Sequence, residues 1–496
     1  MDFGSQNFLF FFLPIIYFVY CAIGIKMRSI VLLLASLYFY ASGDSRSILI
    51  FLDVLILNYL FGLLLDRCDD PAKRARGVAI VIAANLAILF IFKYLGFFCG
   101  TLNSALQSIS LRPVGIQQFP IPLGLSFITF QAIAYLVDIY REDIRAERNF
   151  FKFSLAFAMF SKITAGPIVR MHQIEEQIAQ PVVTLDDFVG GAKRIIIGLG
   201  KKLIIADTIA KVADQIFSIP SFELTTPVAW LGIICYTLQL YFDFSGYTDM
   251  AIGIGRLFGY RLPENFDYPY TAKSLTEFWR RWHLSLSTWF RDYLYIPLSY
   301  ALMTDKIRQK ISEGTYKTNY RALLSIVVVF TLCGLWHGSN WNFVIWGMLH
   351  GIILALESWK LGKIMKKWWA PFSHLYLLSV IMISWVFFRI PELGRALYFI
   401  KALTGFGHAG FTSDQLRSYV TIELLLVLGI ATIASIPIAK GAKHLLKIII
   451  SRFFSEESTQ LQFIGMAEAF MLAAVFVASM QSVMGTASKP FIYAQF

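Results

Sequence analysis

Charge is what this sequence has least of. Of 496 residues only 44 are basic and 32 acidic, 15% in all, against about 25% in an ordinary soluble domain. With 57% hydrophobic residues and a mean hydropathy of +0.61, the chain has more apolar surface than a water-soluble core can hide, so its main solvent is lipid. Cysteine is scarce as well. The five present (Cys21, Cys68, Cys99, Cys235, Cys333) form no C-x-x-C pair and lie mostly in or beside apolar runs. That pattern argues against a structural disulfide or cysteine metal site and leaves buried, free thiols. No carboxylate stands at metal-ligand spacing from the histidines, so a zinc site has no support. No Ser-His-Asp arrangement is visible, and with it goes a covalent serine enzyme. The chain also lacks a low-complexity linker and any pair of inverted halves, the hallmark of the commonest transporter design.

What it has instead is long apolar runs: 8–25, 47–65, 78–98, 227–242, 322–336, 341–356, 375–388, 419–437 and 463–484, with 29–41 as a short one. Each is near the length of about 20 residues that crosses a bilayer, which predicts an all-α polytopic membrane protein of roughly ten or eleven spans with interfacial helices. The first run follows an acidic rather than a basic stretch, and no small-residue cleavage site succeeds it. It reads as a retained span, not a signal peptide.

The net charge of +12 does not point to nucleic acid, because the basic residues cluster in alternate loops. Lys26 and Arg28 follow the first span; Arg67, Lys73, Arg74 and Arg76 follow 47–65; Arg141, Arg145, Arg148 and Lys152 follow 121–139. Loops 42–46 and 99–120 carry one Arg each, whereas 304–321 and 360–367 are basic. By the positive-inside rule the basic loops are cytoplasmic and the N-terminus extracytoplasmic.

Four segments break the simple span pattern. In "FSKITAGPIVRM" (160–171) a Gly-Pro pair ends a helix beside Lys162 and Arg170, which predicts a re-entrant or broken helix, or else an interfacial loop. "YFDFSGYTDMAIGIG" (241–255) puts Asp243, Ser245 and Asp249 among apolar residues, either as a structural ion pair with a neighbouring helix or in a catalytic role. The glycines of the following "GIGRLFG" fit close helix packing, not a nucleotide loop. "LTEFWRRWHLSLSTWFRDYL" (275–294) aligns Phe278, Trp282, Leu286, Trp289 and Tyr293 on one helical face and Arg280, Ser287 and Arg291 on the other. It reads as an interfacial amphipathic helix with His283 at the edge of its apolar stripe, either a satisfied boundary residue or part of a site.

The fourth segment is "LCGLWHGSNWNFVIWGMLHG" (332–351), a hairpin entering from the cytoplasm with His337 at its bend. A first arm of about fifteen residues rises roughly 22 Å, short of the ~30 Å hydrocarbon core, which places His337 in the outer half of the membrane. A neutral imidazole there suits proton transfer. Gly338 leaves room for a substrate, Asn340 is placed to cap the next helix, and His350 falls on a different helical face.

Together "GPIVR", "QLYFDFSGYTDMAIG", "SLTEFWRRWHLSLSTWFRDYLYIPL", "LWHGSNWNFVIWGMLHG" and "WVFFR" resemble the membrane-bound O-acyltransferase (MBOAT) family, nearest its bacterial alginate and cellulose O-acetylation branch, with teichoic acid D-alanyl transfer more distant. The resemblance runs from "SQNFLFFFLP" through the block 120–390 to "PFIYAQF". It implies one membrane domain over 1–496, with N-terminal spans 1–119, a catalytic core 120–390 and C-terminal spans 391–496, built as a ring of tilted helices around a central funnel. It places the family's catalytic histidines on His337 and His283. His337 would be general base in acetyl transfer from a cytoplasmic thioester, acetyl-CoA, to an extracytoplasmic acceptor for exopolysaccharide O-acetylation. No bound cofactor is expected. Arg280, Arg281 and Arg291 would bind the donor, and Trp336 and Asn340 would line the tunnel. The implied setting is the bacterial inner membrane, with a periplasmic acetyltransferase or acceptor and the polysaccharide synthesis machinery as partners. Two departures from the family pattern are Ala494, where relatives carry an aromatic, and the loop "TDKIRQKISEGTYKTNYRA". The rival readings are D-alanyl or other acyl transfer, a transporter for a sugar or lipid intermediate, and a non-catalytic scaffold.

Overall fold

The computed structural model describes residues 2–115, 119–302, 320–407, 414–451, 454, 456–485 and 491–492. Loop 304–321 lies almost wholly outside these, as does Ala494. Among the described residues every regular element is helical, and extended pairing is limited to one bridge between Phe266 and Trp282. Among the described residues eight helices are long and apolar enough to span a membrane, joined by three shorter apolar helices: Asn7–Ala22, Leu125–Tyr140 and Ile422–Ala434. The chain is a multi-pass membrane protein. Many large apolar side chains, Phe18, Leu64 and Phe470 among them, are exposed on its perimeter, which is what a lipid-facing surface requires.

The first apolar run is built into the bundle. Phe8 and Phe12 pack with Phe39 and Phe160, and the Tyr20 hydroxyl donates to the carbonyl of Phe258 at 2.7 Å. The run expected at 78–98 extends much further, as Pro71–Ser108, with a wider π-helical turn at Phe90–Tyr94. Residues 99–108, expected as loop, therefore continue the helix, because nothing in "GFFCGTLNSALQS" stops one.

The centre of the fold is the 32-residue helix Thr226–Leu257, most of it buried. Leu185–Leu199 lies against it through glycine pairs, as the glycine-rich sequence predicts. A Cβ on Gly191 would sit 2.7 Å from the Gly253 carbonyl, and one on Gly198 2.6 Å from that of Gly246. Gly253→Val is expected to cost about 1–3 kcal/mol by overpacking, read as a lower melting temperature in detergent; an unchanged temperature would mean that this contact does not hold the helices together.

The 160–171 segment is a broken helix sunk in protein. Phe150–Ala158 ends before it and Met171–Ala179 begins after it. Phe160, Ser161, Lys162, Ile163 and Ile168 are all buried. Its non-helical amides find partners: Phe160 N–H donates to Ser36 Oγ at 3.0 Å and Ile168 N–H to Ser285 Oγ at 3.0 Å. That burial removes the interfacial-loop alternative and meets the rule for irregular backbone at membrane depth.

The carboxylates of 241–255 form ion pairs. Asp243 accepts from Lys202 Nζ at 2.6 Å and from Ile492 N–H at 2.8 Å, and Lys202 also pairs with Asp207 at 3.0 Å. Asp249 is held by Arg194 and Lys201, each at 2.7 Å. Ser245 is buried in the same helix. None of the three lines a cavity at the histidines.

Candidate active site

The segment 275–294 does not form one amphipathic helix. It breaks into Leu275–Trp279 and Leu284–Phe290, with His283 between them in the left-handed region at φ 46°. Phe278, Trp282, Leu286 and Trp289 are buried as the periodicity demands, but inside protein and not at an interface. A non-glycine residue in that conformation costs of order 1–3 kcal/mol and persists only where its surroundings enforce it. Here Asn265 enforces it. Its carbonyl accepts from Leu284 N–H at 3.0 Å, and its Oδ1 from Ser285 N–H at 3.2 Å and Ser285 Oγ at 2.9 Å. At the other end, buried Glu357 accepts from Leu275 N–H at 2.9 Å, Thr276 N–H at 2.8 Å and Thr276 Oγ1 at 2.6 Å.

The turn carries His283 inward. Its relative exposure is 0%, so the stripe-edge position expected from sequence is wrong: the helix break rotates the ring off the stripe and into the core. His283 Nδ1 lies 3.1 Å from Asn265 Oδ1. That oxygen already accepts from a backbone N–H, which can only donate, so Nδ1 carries the proton and Nε2 is the ring's basic nitrogen.

His337 ends the helix Tyr320–His337 and is 2% exposed. The arm has 18 residues, longer than the fifteen expected, because the helix continues through the Trp-His pair at one end and starts earlier at the other. The turn back is capped as expected: Asn340 Oδ1 accepts from Asn342 N–H at 2.9 Å, opening the helix Trp341–Leu356. Asn340 Nδ2 also donates to the Pro391 carbonyl at 2.9 Å, so this residue fixes the bend and does not line a cavity. Gly338 does not make space for substrate either, since the Phe343 ring fills the place of its missing side chain.

Around His337 the rings of Trp336, Trp346 and Phe388 stand at centroid distances of 4.8, 5.1 and 5.2 Å. Trp336 stacks on Phe130 at 5.3 Å and approaches the His283 ring at 6.3 Å. His350, expected on a different face, joins the same aromatic cluster: its ring is 4.5 Å from Trp346 and its Nδ1 3.0 Å from the Trp346 carbonyl. Sequence reasoning also passed over Lys93, which is 5% exposed and lies within an apolar span. Its ammonium donates to the Trp336 carbonyl and, at 3.2 Å, to Ser126 Oγ. A lone Lys in the middle of the run 78–98 is the signal that marked it.

Two cavities approach the histidines. One, of about 290 Å³, is lined by Asp44, residues 121–127, Lys93, Thr164, Trp336 and His337. The other, of about 550 Å³, includes Arg280, Arg291, Tyr295, Trp279, Leu284 and Cys333 in its wall. They belong to opposite faces. Asp44 and Asp66 flank the two ends of the helix Ile48–Asp66. Asp66 pairs with Arg145 at 3.5 Å, and Arg141 reaches the Asp292 carbonyl at 3.1 Å, so Arg291 lies on the Asp66 face. Cys333, at the inner end of the larger cavity, is one helical turn from His337. Arg280 faces this cavity with no ion-pair partner among the described residues, and Arg291 shares it while paired to Asp292 at 2.6 Å. Arg281 turns away, held by Glu277 at 3.0 Å and Asp267 at 3.4 Å.

Buried histidines thus lie near cavities on two faces of a multi-pass helical protein. The chain belongs to the membrane-bound O-acyltransferase family, whose model matches residues 142–400. It is 38% identical over 430 residues to the probable alginate O-acetylase AlgI of Azotobacter vinelandii, covering 86% of this chain and 83% of that one. It is 35% identical over 501 residues, the full length of both chains, to the probable alginate O-acetylase AlgI of Pseudomonas putida. It is also 32% identical over 445 residues to the peptidoglycan O-acetyltransferase of Helicobacter pylori, covering 81% of this chain and 80% of that one. The protein is a membrane O-acyltransferase.

Proposed function

We propose that this chain moves an acetyl group from acetyl-CoA in the cytoplasm to a hydroxyl on the far side of the bacterial inner membrane, for O-acetylation of an exopolysaccharide of the alginate or cellulose type. The observation that carries the reading is the placement of His337 at the floor of one cavity while a second, arginine-bearing cavity reaches within a helical turn of it from the opposite face. Basic residues around Arg67–Arg76 and Arg141–Arg148 support a cytoplasmic arginine face and a periplasmic Asp44 face. The N-terminus is then extracytoplasmic.

Donor phosphates meet Arg280 and Arg291 at the mouth of the larger cavity, and the thioester extends inward past Trp279 and Leu284. The acceptor hydroxyl enters from the Asp44 side. His337 takes its proton as the oxygen bonds to the acyl carbon; the C–S bond breaks and the thiolate accepts that proton from the imidazolium. His283, fixed by Asn265 with Nε2 basic, orients the donor or shares that proton. The hydroxyl belongs to the polysaccharide or to a periplasmic acetyltransferase that relays the group, consistent with relatives whose names cite alginate and peptidoglycan.

The test is transfer of labelled acetyl from CoA in membranes carrying the chain, with and without a periplasmic acetyltransferase. Label reaching an acceptor supports the reading. CoA that keeps its label under every condition defeats it and favours a transporter. Within the same assay Arg280→Ala is expected to raise the KM for acetyl-CoA about tenfold or more, the scale of one charge-assisted hydrogen bond, with kcat within about twofold. An unchanged KM would place the phosphates elsewhere.

A further inference from the structure

We propose that Lys93 is a catalytic residue of this centre, the cation that offsets the negative charge developing on the acyl oxygen during transfer; this rests on the acetyl-transfer function proposed above. An ammonium at membrane depth is expensive, and such residues mark functional interiors. Lys93 sits at the wider turn Phe90–Tyr94, where a helix accommodates an extra residue, a form frequent at functional sites. That turn aims the side chain inward. Its Nζ is held by the Trp336 carbonyl and by Ser126 Oγ, and stands 5.8 Å from the Trp336 ring centroid.

Two consequences follow from those contacts. The carbonyl of Trp336 precedes His337 directly and lies at a helix C-terminus, where a cation is favoured. The bond therefore fixes the ammonium relative to the imidazole. Lys93 also lines the same 290 Å³ cavity as His337, together with Ser126 and Trp336. A hydroxyl reaching His337 through this cavity brings the reacting carbonyl beside a fixed positive charge. As the acceptor oxygen bonds to the acyl carbon, the carbonyl π electrons move onto the acyl oxygen and the hydroxyl proton moves to His337. The Lys93 ammonium faces that oxyanion and gives up no proton. Collapse expels the thiolate, which accepts from His337 the proton that the hydroxyl gave up. A preorganised positive charge aimed at where negative charge develops stabilises such an oxyanion strongly. Among the described residues the only carboxylate lining the cavity, Asp44, is occupied by backbone N–H groups of Ser47 and Leu123 at 3.2 and 3.4 Å.

The experiment compares Lys93→Met, Lys93→Arg and His337→Ala with wild type in the acetyl-CoA assay, with melting temperatures taken in parallel. Lys93→Met is expected to lower kcat about a hundredfold, the scale of a lost oxyanion donor, with the KM values for donor and acceptor within about twofold. Lys93→Arg, which keeps the charge, is expected to retain at least about a tenth of wild-type kcat. Wild-type kcat in folded Lys93→Met overturns the role, as does a raised acceptor KM with unchanged kcat. If Lys93→Met does not fold, Lys93→Gln replaces it, and equal losses in the Gln and Arg variants overturn the proposal. His337→Ala separates the two claims: an inactive His337→Ala beside an active Lys93→Met sinks only the lysine, whereas full activity in both sinks the acetyl-transfer mechanism.

Discussion

His337→Ala is expected to reduce acetyl transfer by about a thousandfold, within the range that a positioned general base contributes, while the protein still inserts and melts normally. The reason for expecting so clean a separation is geometric. His337 lies at the end of its helix, against Trp336, Trp346 and Phe388, and on the floor of an open cavity. Truncating the ring enlarges that cavity without opening a sealed one, so the packing loss is small beside the chemical one. His337→Gln keeps the volume and offers a hydrogen-bonding amide but cannot accept a proton at working pH; it is expected to be as inactive as the alanine variant. Release of labelled acetyl from CoA and the amount of inserted protein, measured on the same membranes, decide the matter. Wild-type transfer by either variant would remove His337 from the chemistry.

The largest stability effect is expected at the opposite kind of site. Lys202→Met should destabilise the protein by about 3–5 kcal/mol, because it leaves a buried carboxylate without its counter-charge. Asp243 and Lys202 are both almost fully buried and 2.6 Å apart, and Phe491 lies over the ammonium at 4.6 Å. Asp243 also receives the Ile492 N–H, so the pair ties the end of the chain into the long central helix. The double variant Lys202→Met with Asp243→Leu should recover much of the loss, since an apolar pair of similar volume is often no worse than a buried ion pair. Thermal unfolding in detergent reads both. A single variant as stable as wild type would mean that water or another cation compensates Asp243. In contrast with His337→Ala, any fall in activity here should track the fraction of folded protein.

Much of the frame is legible in the sequence because membrane depth imposes simple rules. Apolar length and the Gly-Pro break at 166–167 both led to elements that the structure contains. The close packing expected of the glycines in "GIGRLFG" is met at Gly253, which lies against Gly191. The misses around the histidines share one cause. Periodicity assumes a continuous helix, and the residues around the histidines lie where helices break. His283 seemed to border an apolar stripe, but a single left-handed residue enforced by Asn265, eighteen positions away, turns it into the core. Gly338 seemed to leave space that Phe343 occupies, and Arg281 seemed to join a basic face from which two carboxylates withdraw it. Lys93, Glu357 and His350 meet partners remote in sequence, Trp336, Leu275 and Trp279, which no local pattern reports.

The central claim is that His337 joins a donor from one face to an acceptor from the other. Sealed inside-out membrane vesicles test it most directly. Labelled acetyl-CoA is added outside, on the original cytoplasmic face, and the periplasmic acceptor is enclosed within. The account predicts label on the enclosed acceptor with wild-type protein and none with His337→Ala. Label that reaches the acceptor without His337, or only when acetyl-CoA is enclosed on the acceptor's own side, would contradict it.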